Sequence, residues 1–259
     1  MNEELVLVEC AEGVTTLTLN SPKTRNALSR ELLLTLGSRL EAARADERCC
    51  AVLLQGAAGT FCSGGDVSGM QAKRTLPVGR ERMVIAQRCV QLIRHMGKPV
   101  ISAVEGHAAG AGFSLALVAD YVVASREAKF VSGFAKVGLI PDMGLMYSLK
   151  ERVGLGEAKR ILMSSRSVGA EEALRLRIVD RLAESGGALA TARGVAIEMT
   201  SHAPIPVALI KTAYARGMTC IEDALDFEMD NQAALYLTAD HREAVAAFME
   251  KRSPQFRGE

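Results

Sequence analysis

The chain has 259 residues, 49% of them apolar, which allows one large domain, or a domain with an appendage, to bury a core without disulfides or metal. Its 31 Lys and Arg against 30 Asp and Glu leave a net charge of +1, without the basic excess expected of a nucleic-acid-binding protein. No apolar run approaches the roughly 18 residues of a membrane span, and the acidic N-terminal stretch is unlike a secretory signal.

Residues 5–9 and 14–19 alternate apolar with polar or β-branched side chains around Ala11, Glu12 and Gly13, which predicts a β-hairpin. Ser29 fits the N-cap of an amphipathic helix over 30–45, with Leu32, Leu33, Leu36 and Leu40 on one face. Residues 51–54 form a short apolar strand, and 57–79 a glycine- and charge-containing loop, mobile near 71–79. A helix is predicted over 80–96, a strand over 99–104, a helix over 112–119, and strands over 121–124 and 129–131. After residue 143 strand signals nearly vanish. Helices are predicted there over 144–153, 156–163, 170–176, 187–200, 205–216, 221–237 and 240–251. The alternation of strand and helix gives an α/β core followed by a helical C-terminal part.

The six cysteines, Cys10, Cys49, Cys50, Cys62, Cys89 and Cys220, form no C-x-x-C pair and read as reduced thiols of a cytoplasmic protein. The four histidines are dispersed, so no metal site is expected.

Two glycine-rich turns each follow a strand and precede a helix: residues 59–66, GTFCSGGD, and residues 106–112, GHAAGAG. Such turns expose backbone N–H groups, and two of them converging would form an oxyanion hole. Either turn alone is equally a packing device. A dinucleotide-binding loop fits poorly, because Gly106, Gly110 and Gly112 do not match G-x-G-x-x-G. At the level of pattern the role of each turn stays open.

Taken in order, residues 25–28 (RNAL), 61–66 (FCSGGD), 98–104 (KPVISAV), 108–112 (AAGAG), 138–142 (GLIPD) and the tail 247–256 resemble the crotonase (enoyl-CoA hydratase/isomerase) superfamily over nearly the whole chain. The run 129–142 with that tail resembles most its epoxyphenylacetyl-CoA isomerase branch. The resemblance implies a crotonase-type (ClpP-like) β-β-α spiral core over 1–200. It also implies a helical oligomerisation region over 201–259 that builds a homotrimer or a dimer of trimers. The expected ligand is an acyl-CoA thioester, coenzyme A entering as part of the substrate and no separate cofactor being needed. Neither nucleic acid nor membrane is expected as a partner.

The superfamily's oxyanion-hole positions fall on Gly65 and Ala111. Hydratases of the superfamily use two glutamates, and here those positions are Ser114 and Phe134, neither of which can act as a carboxylate base. An acid stands instead at Asp142, where superfamily isomerases carry one. A single base suits an isomerisation, which moves one proton from C2 to C4 of the thioester. On pattern alone Pro141-Asp142 before a helix is an N-cap arrangement; the resemblance makes it the base. Phe134, Leu139, Ile140 and Met143 are expected to desolvate it and raise its pKa. For coenzyme A the resemblance and local chemistry nominate Lys23, Arg25, Ala27, Ser63, Gly65, Asp66, Val67 and Lys251, the last usually supplied by a neighbouring subunit. Asp66 is also expected to cap the helix that follows it, and His107 to be a packed or partly exposed loop residue. A hydratase with a relocated acid, and a non-catalytic acyl-CoA-binding protein, are the competing readings.

Overall fold

A computed structural model describes residues 4–66 and 75–259. The predicted hairpin consists of β1 (Val6–Ala11) and β2 (Val14–Leu19), paired antiparallel. Glu12 and Gly13 turn the chain at φ 53° and 74°, the left-handed pair that matches strand twist in a two-residue hairpin loop. Helix α1 (Arg30–Ala45) starts where Ser29 Oγ accepts the Leu32 N–H at 3.1 Å, and its four predicted leucines are all buried.

There follow β3 (Ala51–Gly56), α2 (Leu76–His95), β4 (Val100–Val104), β5 (His107–Ala109), α3 (Ala111–Leu117), β6 (Tyr121–Ser125) and β7 (Lys129–Val131). The predicted loop over 57–79 is therefore too long: α2 already begins at Leu76, with Pro77 in its first turn, where a missing N–H costs nothing. Residues 71–74 of the segment expected to be mobile lie outside the described residues. Helix α4 (Leu145–Ser164) covers both helices predicted there, with a break at Gly154 (φ 77°, ψ 163°). Next come β8 (Ser167–Gly169), α5 (Ala170–Arg175), β9 (Arg181–Ala183) and α6 (Ala188–Thr200), then α7 (Pro204–Arg216), α8 (Ile221–Leu235) and α9 (Ala239–Glu250). Strands β8 and β9 correct the expectation that the chain after residue 143 is essentially helical.

The large sheet has the order β1-β2-β3-β4-β6-β9, parallel from β2 onward. A second, smaller sheet has the order β5-β7-β8. Two isolated bridges, Leu28 with Gly65 and Cys62 with Ala108, extend that second layer backward along the chain. The path then repeats: a strand in the large sheet, a short extended piece in the second layer, and a helix. This holds for β2 to α1 through Leu28, β3 to α2 through Cys62, β4 to α3 through β5, and β6 to α4 through β7. Each repeat lays its second-layer piece beside the previous one, so turns far apart in sequence become neighbours.

Both faces of the large sheet are covered, which is why its strands read as continuous apolar runs. Helices α1 to α5 share one core with one face. The other face packs under α6, whose Ala188, Ala192 and Ala196 let the helix lie close over Leu53, Ile101, Ala103 and Val123. Among the described residues no helix is long and apolar enough to cross a membrane.

Candidate active site

The two glycine-rich turns lie side by side. Cys62 donates its N–H to the His107 carbonyl at 2.9 Å, and Ala109 donates its N–H to the Cys62 carbonyl at 3.0 Å. This parallel bridge sets a register in which Gly65 and Ala111 each stand three residues beyond a paired residue, Cys62 and Ala108. The approach is backbone to backbone. A Cβ on Gly112 would lie 2.5 Å from the Cys62 carbonyl oxygen, and one on Gly64, itself at φ 109°, would lie 2.8 Å from that of Ala109. Glycine is required at both places by space, and at Gly64 also by conformation.

Ala111 is the first residue of α3, so its N–H has no partner within the helix. Among the described residues neither the Gly65 nor the Ala111 N–H donates to a protein acceptor. Two adjacent turns thus each offer one uncommitted backbone donor.

A third loop is bound to the first turn. Asn26, fully buried and at φ 59°, donates from Nδ2 to the carbonyls of Ala57 (3.0 Å) and Thr60 (2.7 Å) and accepts the Ser21 N–H at 2.9 Å. Ser63 donates its N–H to the Arg25 carbonyl and its hydroxyl to the Thr24 carbonyl, both at 2.9 Å. Leu28 donates its N–H to the Gly64 carbonyl at 2.7 Å. Lys23, Arg25, Ala27, Ser63, Gly65 and Asp66 are therefore brought together, with Lys23 and Arg25 exposed and Ala27 buried. Val67 lies outside the described residues. Lys251 ends α9 in a left-handed turn, is exposed, and makes no hydrogen bond or ion pair to this group among the described residues. Asn26→Ala is expected to cost about 2–3 kcal/mol in urea denaturation, because two part-buried carbonyls lose their donor and alanine is disfavoured in the left-handed region.

Asp142 follows a 3₁₀ turn, Phe134–Val137, and precedes α4. The helix is capped by Gly144 at φ 80°, and Leu145 donates its N–H to the Asp142 main-chain carbonyl at 3.1 Å. The Asp142 carboxylate caps nothing. Its Oδ1 is buried and has no hydrogen-bond partner among the described residues. Burial pushes the carboxyl above the ordinary aspartate pKa, while the Arg82 guanidinium and the residue's own backbone N–H pull it back. The shielding does not come evenly from the four predicted neighbours. Phe134 and Met143 are buried, whereas Leu139 and Ile140 are exposed at 52% and 78%.

Ser114 is buried in α3 and donates its hydroxyl to the Gly110 carbonyl at 3.3 Å, a bond internal to the helix. The Phe134 ring packs against the second turn, its Cζ 3.9 Å from where a Gly110 side chain would begin. The space beside the turns thus has an apolar wall at one position and a committed hydroxyl at the other.

Other expectations need correction. Asp66 does not cap α2, whose N-cap is Thr75; its main-chain carbonyl instead accepts Arg82 Nη2 at 3.4 Å. His107 is an exposed residue of β5, not of a loop. The sequence reading gave no role to Asn26 or Arg82. The first had a signal, a polar residue inside the RNAL segment; the second had none.

A family model described as enoyl-CoA hydratase/isomerase matches residues 9–259. The chain is 36% identical over 259 residues to a 1,2-epoxyphenylacetyl-CoA isomerase of Escherichia coli, covering 98% of this chain and 99% of that protein. It is 34% identical over 249 residues to a short-chain-enoyl-CoA hydratase of Clostridium acetobutylicum, covering 95% of each. Among solved structures it is similar to an enoyl-CoA hydratase from Polaromonas sp. JS666, with TM-score 0.93, 34% identity, and coverage of 97% of this chain and 99% of that one.

Proposed function

The chain belongs to the enoyl-CoA hydratase/isomerase family, with the crotonase fold, and we propose that within it the protein is an acyl-CoA isomerase with one aspartate base. In this reading the thioester oxygen accepts the Gly65 and Ala111 N–H groups. Asp142 takes a proton from C2; the electron pair moves onto the thioester oxygen, where the two amides hold the enolate. Asp142 then returns the proton at C4, and the double bond has shifted. The same enolate chemistry extends to a ring-epoxide thioester.

The observation that carries the proposal is the half-buried Asp142 carboxylate whose Oδ1 has no partner among the described residues, together with Ser114 and Phe134 where hydratases carry carboxylates. Hydration needs water to be both placed and deprotonated, and those two side chains offer no base for it. The resemblance to an enzyme named a short-chain-enoyl-CoA hydratase favours the second reading, water addition using Asp142 alone. A panel of 2-enoyl-, 3-enoyl- and ring-epoxide-CoA thioesters, with products followed by mass spectrometry, separates them. The expected product of a 3-enoyl thioester is its 2-enoyl isomer, formed at least tenfold faster than any 3-hydroxyacyl product; comparable rates would favour the hydratase.

Lys23 and Arg25 are proposed to meet the phosphates of coenzyme A by charge-assisted hydrogen bonds, with Ala27, Ser63, Asp66 and Val67 lining the same approach. Lys251 reaches the site from another copy in this proposal. The helical C-terminal part supports such an assembly. Helix α8 has no buried residue, and Ile221, Leu225, Met229, Leu237, Phe248 and Met249 are all exposed in the single chain. A face of that kind is ordinarily covered by a partner, and a trimer or a dimer of trimers is proposed. A cytoplasmic location is inferred from the six free cysteines.

A further inference from the structure

Arg82, on α2, reaches back over the first glycine turn. Its Nη2 lies 3.2 Å from the point where a Gly65 side chain would begin, and 3.4 Å from the Asp66 carbonyl oxygen. It is also near enough to Asp142 for its charge to act on that carboxyl. One guanidinium therefore lies against the first turn and within electrostatic reach of the Asp142 carboxyl.

Among the described residues its hydrogen-bonding capacity is largely unspent. A guanidinium has five N–H donors, and the long contact to Asp66 uses one. The neighbouring Glu81 pairs instead with Arg30 at 2.8 Å. Among the described residues Arg82 has no ion-pair partner, and the sequence of 67–74 contains no Asp or Glu to supply one. A half-buried guanidinium with idle donors is available to a ligand that offers acceptor oxygens. The other neighbours of the space do not replace it, since Ser114 bonds within its helix and Phe134 is apolar.

We infer that Arg82 is a specificity-determining residue, which donates hydrogen bonds to an oxygen carried by the acyl group itself, beyond the thioester carbonyl. The substrate class is then an acyl-CoA bearing an acceptor oxygen near the reacting carbons, either a ring epoxide or a carboxylate. This rests on the reading of the site as a thioester isomerase. A cation serving only to keep Asp142 ionised would act on every substrate alike, which gives the two roles different signatures.

The test compares the wild type with Arg82→Met and Arg82→Gln on hex-3-enoyl-CoA, hex-3-enedioyl-CoA and a ring-epoxide phenylacetyl-CoA. Both kcat/KM and the dissociation constant are measured, with melting temperature as a control for folding. The expected result is a loss on an oxygen-bearing thioester about tenfold or more beyond that on hex-3-enoyl-CoA, since the effect of the Arg82 charge on Asp142 is common to all three. Loss confined to the dioyl thioester identifies a carboxylate, and loss confined to the epoxide identifies the epoxide oxygen. Equal loss on all three, or none on any, overturns the inference. Should the wild type turn over no thioester, the isomerase reading fails by itself. The dissociation constants still decide whether Arg82 selects an acyl oxygen.

Discussion

Asp142→Asn is expected to slow isomerisation by about 10²–10⁴-fold without lowering the melting temperature. The substitution keeps size and hydrogen-bonding shape and removes only the ability to take a proton. A capping role would predict preserved turnover with stability unaltered, because asparagine caps a helix about as well as aspartate. Gly144 caps α4, and the Asp142 carboxylate stands apart from the helix N-terminus. The pH dependence gives an independent check. Burial raises the folded-state pKa above the ordinary aspartate value. An acid so shifted holds its proton more tightly when folded, so its cost to stability is absent at low pH. The cost grows as pH rises from the ordinary value through the raised one. At neutral pH the cost is fully present in the wild type and absent in Asp142→Asn, so the variant should melt at the same temperature or higher. The two should converge in acid. In the wild type kcat/KM should fall as pH drops through the raised value, and the residual rate of the variant should lack that limb. Full turnover by Asp142→Asn would remove Asp142 as the base.

The site was legible to the extent that its parts are local. The hairpin, the Ser29 cap and the leucine face of α1 depend on neighbours within a few residues, and they occur as the pattern implies. Strand β9 has no such local mark. Arg181, Leu182 and Ala183 are extended because β6 offers an open edge with Val123, Ala124 and Ser125 in register, a property of the assembled sheet. The same distinction separates the residues of the site. The glycines of the two turns announce close approach, while their pairing through Cys62 and Ala108 is fixed only when successive repeats lie together. Pro141-Asp142 carries the pattern of a cap, yet the helix starts at Leu145, two residues past where that pattern needs it. Arg82 is one charged residue among several on α2. Its distinction comes from the loop its side chain crosses, which sequence spacing does not encode.

Ala111→Pro should be the most direct test of the oxyanion donors. Ala111 is the first residue of α3, the helical position where proline is best tolerated, because its N–H has no helical partner. The preceding residue, Gly110 at φ 51° and ψ −124°, has no Cβ to clash with the proline ring. The fold therefore loses little, and a change in melting free energy under about 1 kcal/mol is expected. Chemistry should lose much. Proline deletes one of two donors and places ring carbon where the thioester oxygen would sit, so kcat should fall by about 10²–10³-fold. Acyl-CoA binding should weaken far less if Lys23 and Arg25 hold the nucleotide end, since they lie on a separate loop. A variant that folds, binds coenzyme A esters and still isomerises at the wild-type rate would mean that the Ala111 amide does not carry the developing charge. The Asp142 carboxylate would then be left with only the Gly65 amide to hold the developing charge, and the proposed two-amide mechanism would fall.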